Sequence, residues 1–98
     1  MDIEFRNPDL QRLETDDTGQ GAYGKAIVKA FRKVVNFIRC AGDERDFRVM
    51  RSLRFEKLKG DRSHQHSLRL NDQWRLIVEI KEGTPKNTIE VIDIEDCH

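Results

Sequence analysis

Arg69 and Arg75 stand on either side of a polar tripeptide, Asn71-Asp72-Gln73, in a stretch where apolar and polar residues alternate. A hairpin closing at 71–73 sets Leu70 opposite Trp74 and Arg69 opposite Arg75. Like charges facing each other across a ladder are unfavourable unless something negative lies between them. Two readings stay open. The guanidinium pair holds a phosphate on an open sheet face, or an acid such as Glu79 or Asp93 on a neighbouring strand neutralises both.

Just upstream, Lys57-Leu58-Lys59-Gly60-Asp61-Arg62 places three bases within six residues. Gly60 permits a tight turn and a close backbone approach to a ligand. This is either a clamp for a nucleic-acid backbone or an ordinary solvated loop. The chain ends Asp93-Ile94-Glu95-Asp96-Cys97-His98. A histidine titrates near neutrality, which suits a general acid or base; a frayed terminus is the alternative. Cys97 would need an activating partner to serve as a nucleophile, and none is evident. His64 and His66 share a strand parity, but two imidazoles without a nearby Cys or Asp do not make a zinc site. His66 also shares the face of Leu68 and Leu70, so a partly buried structural role is expected.

The 98 residues suffice for one domain spanning 1–98. Net charge is zero, but the charges are segregated: −4 over residues 1–24, +8 over 25–75 and −4 over 76–98. A basic middle between acidic ends suggests a polyanion-binding surface, with a salt-bridged helix face as the plainer explanation. No run approaches the roughly 18 apolar residues of a membrane span. Met1-Asp2-Ile3-Glu4-Phe5 lacks the basic start of a secretory signal. Two cysteines do not make a disulfide framework. A soluble, cytoplasmic protein is expected.

Ile3 and Phe5 alternate with charged neighbours as in a short strand. Asn7-Pro8-Asp9 reads as a helix start, with Leu10 and Leu13 facing inward. From Tyr23 to Ala41, apolar residues at 23, 26, 27, 30, 31, 34, 37, 38 and 41 mark an amphipathic helix. Gly42 is its expected stop. Asp43 opens a further short helix to about Met50, with Phe47 and Met50 inward, and residues 51–62 read as loop. The period then changes from 3.6 to 2 for three strands, the last over Ile89–Ile94. Helices first and strands after imply an α+β fold, with an N-terminal strand and helices packed on one face of a small antiparallel sheet.

The segments Leu58-Lys59-Gly60-Asp61-Arg62, Ser67-Leu68-Arg69-Leu70, Trp74-Arg75-Leu76-Ile77 and Glu95-Asp96-Cys97-His98, in this order and spacing, resemble HigB-like toxins of the RelE/ParE superfamily. The resemblance covers residues 22–98 in element order and 58–98 motif by motif. It implies a RelE-like fold and a type II toxin–antitoxin toxin. Such a toxin is an endoribonuclease (mRNA interferase) that enters the 70S ribosome and cuts translated mRNA. Its chemistry would be metal-free, without a cofactor: a ribose 2′-OH attacks the adjacent phosphate. Lys59, Arg75, Asp96 and His98 match the family's catalytic positions, and Glu56 and Arg69 join them as candidates. Lys57, Arg62 and Arg54 are the expected RNA or ribosome contacts. Glu56 stands where the family often has histidine, and Cys97 where it usually has tyrosine; a thiol cannot stack on a base. The implied partners are a cognate antitoxin, the ribosome and mRNA, with operator DNA reached only through the antitoxin complex and no membrane. Two other functions compete: a non-catalytic inhibitor on the same fold, like the gyrase-poisoning ParE branch, and a decayed RNA-binding regulator.

Overall fold

The computed structural model describes residues 1–15, 24–42, 45–83 and 87–96. Strand β1 (Asp2–Phe5) leads into helices α1 (Pro8–Thr15), α2 (Lys25–Cys40) and α3 (Arg45–Val49). A 3-10 turn at Arg51–Leu53 precedes β2 (Glu56–Lys57), and a second at Gly60–Arg62 precedes β3 (Gln65–Arg69), β4 (Trp74–Lys81) and β5 (Thr88–Asp96). The basic stretch 51–62, expected as loop, therefore contains two turns and an edge strand.

Asn7 begins α1 as its residue type predicts. Its carboxamide oxygen accepts from the Asp9 amide at 2.9 Å, satisfying a first-turn donor. Helix α2 buries Ile27, Val28, Phe31, Val34, Val35 and Ile38 along one stripe. It ends one residue earlier than the glycine suggested: Ala41 is extended, and its amide bonds back to Phe37 and Ile38. The Met1 amino group donates to the carbonyls of Ile38, Arg39 and Ala41, placing a positive charge where the helix leaves its acceptors open. Tyr23 and Asp43, expected at the starts of α2 and α3, lie outside the described residues. Phe47 in α3 is fully buried as expected, but Met50, just past the helix end, is 43% exposed and not inward.

The sheet order is β1-β5-β4-β3-β2. Strands β2 to β5 are antiparallel neighbours, whereas β1 lies parallel to β5. The sheet is thus mixed and not purely antiparallel. The intervening helices carry the chain back before the later strands form, and such a crossover is what parallel pairing needs. A register shift at Ile77/Val78 makes Ile92 the extra residue in β5. Ile89 and Val91 face the core before it, and Ile94 after it. That bulge accounts for the nearly continuous apolar run 89–94, which breaks simple alternation.

One face of the sheet packs on α2, with Leu68, Leu76, Val78, Ile89 and Val91 meeting Phe31 and its neighbours. Phe31 is fully buried. Phe31→Ala is expected to lower the unfolding free energy by about 3–5 kcal/mol, from lost transfer energy plus the cavity. A denaturant titration reads this directly. A shift within about 0.5 kcal/mol, the scale of surface changes, would contradict the assigned core.

Candidate active site

The opposite sheet face carries no helix among the described residues. The hairpin between β3 and β4 closes as its sequence implies. The Asn71 carboxamide accepts from the amides of Gln73 and Trp74, each at 2.8 Å, and the Leu70 amide donates to the Trp74 carbonyl at 3.0 Å. Arg69 is consequently paired with Arg75, and Arg75 in turn with Glu95 on β5. Strand alternation puts these three side chains on the open face. One step along, Glu56, Ser67, Ile77 and Asp93 form the next row.

Neither arginine is neutralised by Glu79 or Asp93. The Arg69 guanidinium turns to Asp72 in the hairpin loop, whose side chain is almost wholly exposed. Glu95, opposite Arg75, is engaged by Arg62 through Nη1 at 3.0 Å and Nη2 at 2.6 Å. Arg62 Nε also donates to the Gln65 carboxamide at 3.0 Å. These bonds span β3 to β5, so the Arg62 side chain crosses β4 over the Ser67–Ile77–Asp93 row. Ser67 and Ile77 are buried there. The bonds to Glu95 raise the Arg62 pKa, against the opposing effect of burial. Arg75 Nη1 is left buried with no hydrogen-bond partner among the described residues. A buried donor without an acceptor is costly, and such donors mark places where a ligand binds or water enters.

Further along the same face, the charges cancel. Arg6 pairs with Glu79 at 3.1 Å and Glu90 at 2.7 Å, and Lys81 with Glu4 at 3.1 Å and Glu90 at 3.5 Å. The Arg6 hydrogen bond holds the Glu90 carboxyl below its usual range despite desolvation, and Lys81 adds to this. A carboxyl with a lower pKa folded than unfolded stabilises the fold above its unfolded value, and that contribution fades as pH falls through the folded value. The melting temperature is therefore expected to fall as pH drops below the ordinary glutamate value of 4.5. Glu90→Gln should flatten this acid limb; a variant whose melting temperature follows pH as steeply as the parent would exclude the linkage.

The remaining candidates are not all on this face. Lys59 is exposed and directly precedes the Gly60–Arg62 turn, where Gly60 has φ 66°. That left-handed backbone favours glycine. Because the Arg62 amide bonds to the Lys59 carbonyl at 3.4 Å and its side chain to Glu95, the lysine loop is tied to the Arg75 row. Glu56 is exposed on β2 opposite Ser67, and Lys57 is opposite His66 on the other parity. Asp96 is paired with Trp74 at the end of β5, so strand alternation sets it on the face opposite to Arg75 and Glu95, and it accepts from the Gln73 side chain at 3.0 Å. Arg54 is exposed just before β2. His98 and Cys97 lie outside the described residues.

His64 and His66 diverge. His64 approaches Glu79 at 3.8 Å, while His66 stacks on Phe55 with ring centroids 4.8 Å apart. Burial, then the charges of Arg48 and Lys57, lower the His66 pKa. Sequence reasoning missed the tie between Arg62 and Glu95. The two residues are 33 positions apart, and no local pattern announces such a contact.

Fold and site together define a small α+β protein that sets two arginines opposite each other on the sheet face turned away from α2. Its backbone resembles the YoeB/ParE toxin from Agrobacterium tumefaciens, with a TM-score of 0.60 at 18% identity over all of both chains. In sequence it is 31% identical over 88 residues to Toxin HigB-1 of Vibrio cholerae serotype O1, covering 90% of this chain and 93% of that protein. The family model for the RelE-like toxin of type II toxin–antitoxin system HigB matches residues 3–93. The chain belongs to the HigB-like toxin family and is a toxin of a type II toxin–antitoxin system, a class defined by pairing with a cognate antitoxin. None of its described helices is long and apolar enough to cross a membrane.

Proposed function

We propose that this toxin is a ribosome-dependent endoribonuclease that cuts translated mRNA in the cytoplasm by metal-free attack of a ribose 2′-OH on the adjacent phosphate. The observation that carries the reading is Arg75, with a buried Nη1 that lacks an acceptor and a second arginine directly across the ladder. A phosphate between Arg69 and Arg75 supplies that acceptor and removes the like-charge repulsion. As attack proceeds, the equatorial oxygens gain charge, and donors already in place stabilise it without reorganising.

Lys59, on the loop tied to this row, adds a further positive charge. Glu56, one row from Arg69, accepts the 2′-OH proton. His98 protonates the departing 5′-oxygen, with Asp96 orienting it. The products are a 2′,3′-cyclic phosphate and a free 5′-hydroxyl, so no metal or cofactor is required. The whole chain, 1–98, acts as one domain. The cognate antitoxin silences it, and operator DNA is met only through that complex.

Inducing the gene in a bacterium and mapping transcript 5′ ends tests the reading. Cuts are expected inside translated frames at a fixed codon phase. Uncut transcripts alongside gyrase-dependent DNA breaks would replace it with the gyrase-poison class. Growth arrest without cuts or breaks would leave RNA binding alone.

A further inference from the structure

Helix α3 and the turn after it carry arginine at every third position, Arg45, Arg48, Arg51 and Arg54, interleaved with Phe47, Met50 and Leu53. Phe47 and Leu53 are buried and all four arginines are exposed. Arg45 and Arg48 lie on the α-helix and Arg51 opens the 3-10 turn, so the exposed bases run from one element into the next.

Arg54 ends the row in an unusual conformation. Its φ of 44° and ψ of 56° are left-handed, and its amide donates to the Arg51 carbonyl at 3.1 Å. Side chains other than glycine's adopt that region rarely, and mostly at sites where the surroundings impose it. The reversal folds the backbone at Arg54 back onto Arg51 before β2 begins. Arg48 is held differently, with its guanidinium carbon 5.3 Å from the Phe55 ring centroid. Phe55 is itself stacked on His66 and set edge-on to Phe47. A guanidinium fixed over an aromatic face keeps its N–H edge for a ligand.

Arg48, Arg51 and Arg54 line an open concavity of about 420 Å³, in which Glu56 is the one acid among the described residues. Arg6, Arg62 and Lys81, by contrast, are committed to carboxylates. None of these three guanidinium groups is hydrogen-bonded or ion-paired to a described residue. Glu56 leads from the concavity to Ser67, one step from Arg69.

We propose that Arg48, Arg51 and Arg54 form a phosphate site for single-stranded RNA, gripping the backbone outside the scissile position. The inference rests on the ribonuclease reading for its ligand. Three cations around one open concavity suit the closely spaced phosphates of a nucleic-acid backbone. Contacts of this kind set register and orientation without reading bases.

The test uses the full-length toxin and a short single-stranded RNA with 2′-O-methyl riboses, which cannot be cut by 2′-OH attack. Affinity is measured by fluorescence anisotropy between about 50 and 200 mM salt. For the Arg48→Gln, Arg51→Gln double variant, the slope of log affinity against log salt is expected to become shallower by about 1.4, since each lost phosphate contact on a single strand removes ~0.7. The Arg48→Lys, Arg51→Lys protein should keep the parental slope because counterion release follows charge, and it serves as the folding control if the glutamine variant melts early. A parental slope in a folded glutamine variant overturns the proposal. If that variant also loses its antitoxin, the row belongs to a protein interface instead. Cleavage of translated transcripts by the parental toxin is read separately. Its absence would defeat the ribonuclease reading while leaving the salt slope to report on this site.

Discussion

An Arg75→Ala toxin is expected to cleave about 10²–10³-fold more slowly, the usual cost of removing a preorganised donor aimed at developing charge. Its stability should hold or rise. The substitution removes a buried nitrogen that has no acceptor and ends the opposition to Arg69 across the ladder, and both were unfavourable in the free protein. A loss of activity with no loss of melting temperature therefore separates a phosphate-binding arginine from one that merely packs. Arg75→Lys should recover only part of the rate, because a point charge cannot reproduce a bidentate fork. If Arg75→Ala folds, binds ribosomes and cuts at the parental rate, the phosphate is not held in this row.

His98→Ala is the second variant from which a large effect is expected, a rate loss of roughly 10²–10⁴ as for a missing general acid. The proposed mechanism assigns this residue the proton that the departing 5′-oxygen takes. Antitoxin binding and melting temperature should stay parental. A His98→Ala toxin that arrests growth as fast as the parent would move proton transfer to Glu56 or Lys59 on the other side of the row.

Much of this site is legible in the sequence because its parts are local. Arg69 and Arg75 are six residues apart across a turn that Asn71 closes with its own side chain. Alternation and turn chemistry therefore set the opposition of the two arginines. The amphipathic stripe of α2 is legible for the same reason, since neighbours three and four apart share a face whatever the rest of the chain does. Three features are decided only by the tertiary structure. Pairing of β1 with β5 joins the two ends of the chain in parallel, and nothing in either strand chooses that partner. The register shift at Ile77/Val78 re-aims Asp93 and Glu95 at the open face, while the bare apolar run 89–94 is equally compatible with an unbroken strand. Arg62 reaches Glu95 across two strands and leaves Arg75 without the carboxylate directly opposite it. Local spacing determines which side chains share a face, because backbone geometry repeats within a few residues. Which carboxylate answers which arginine depends on strands brought together by burial of the α2 face, and that burial is a property of the whole chain.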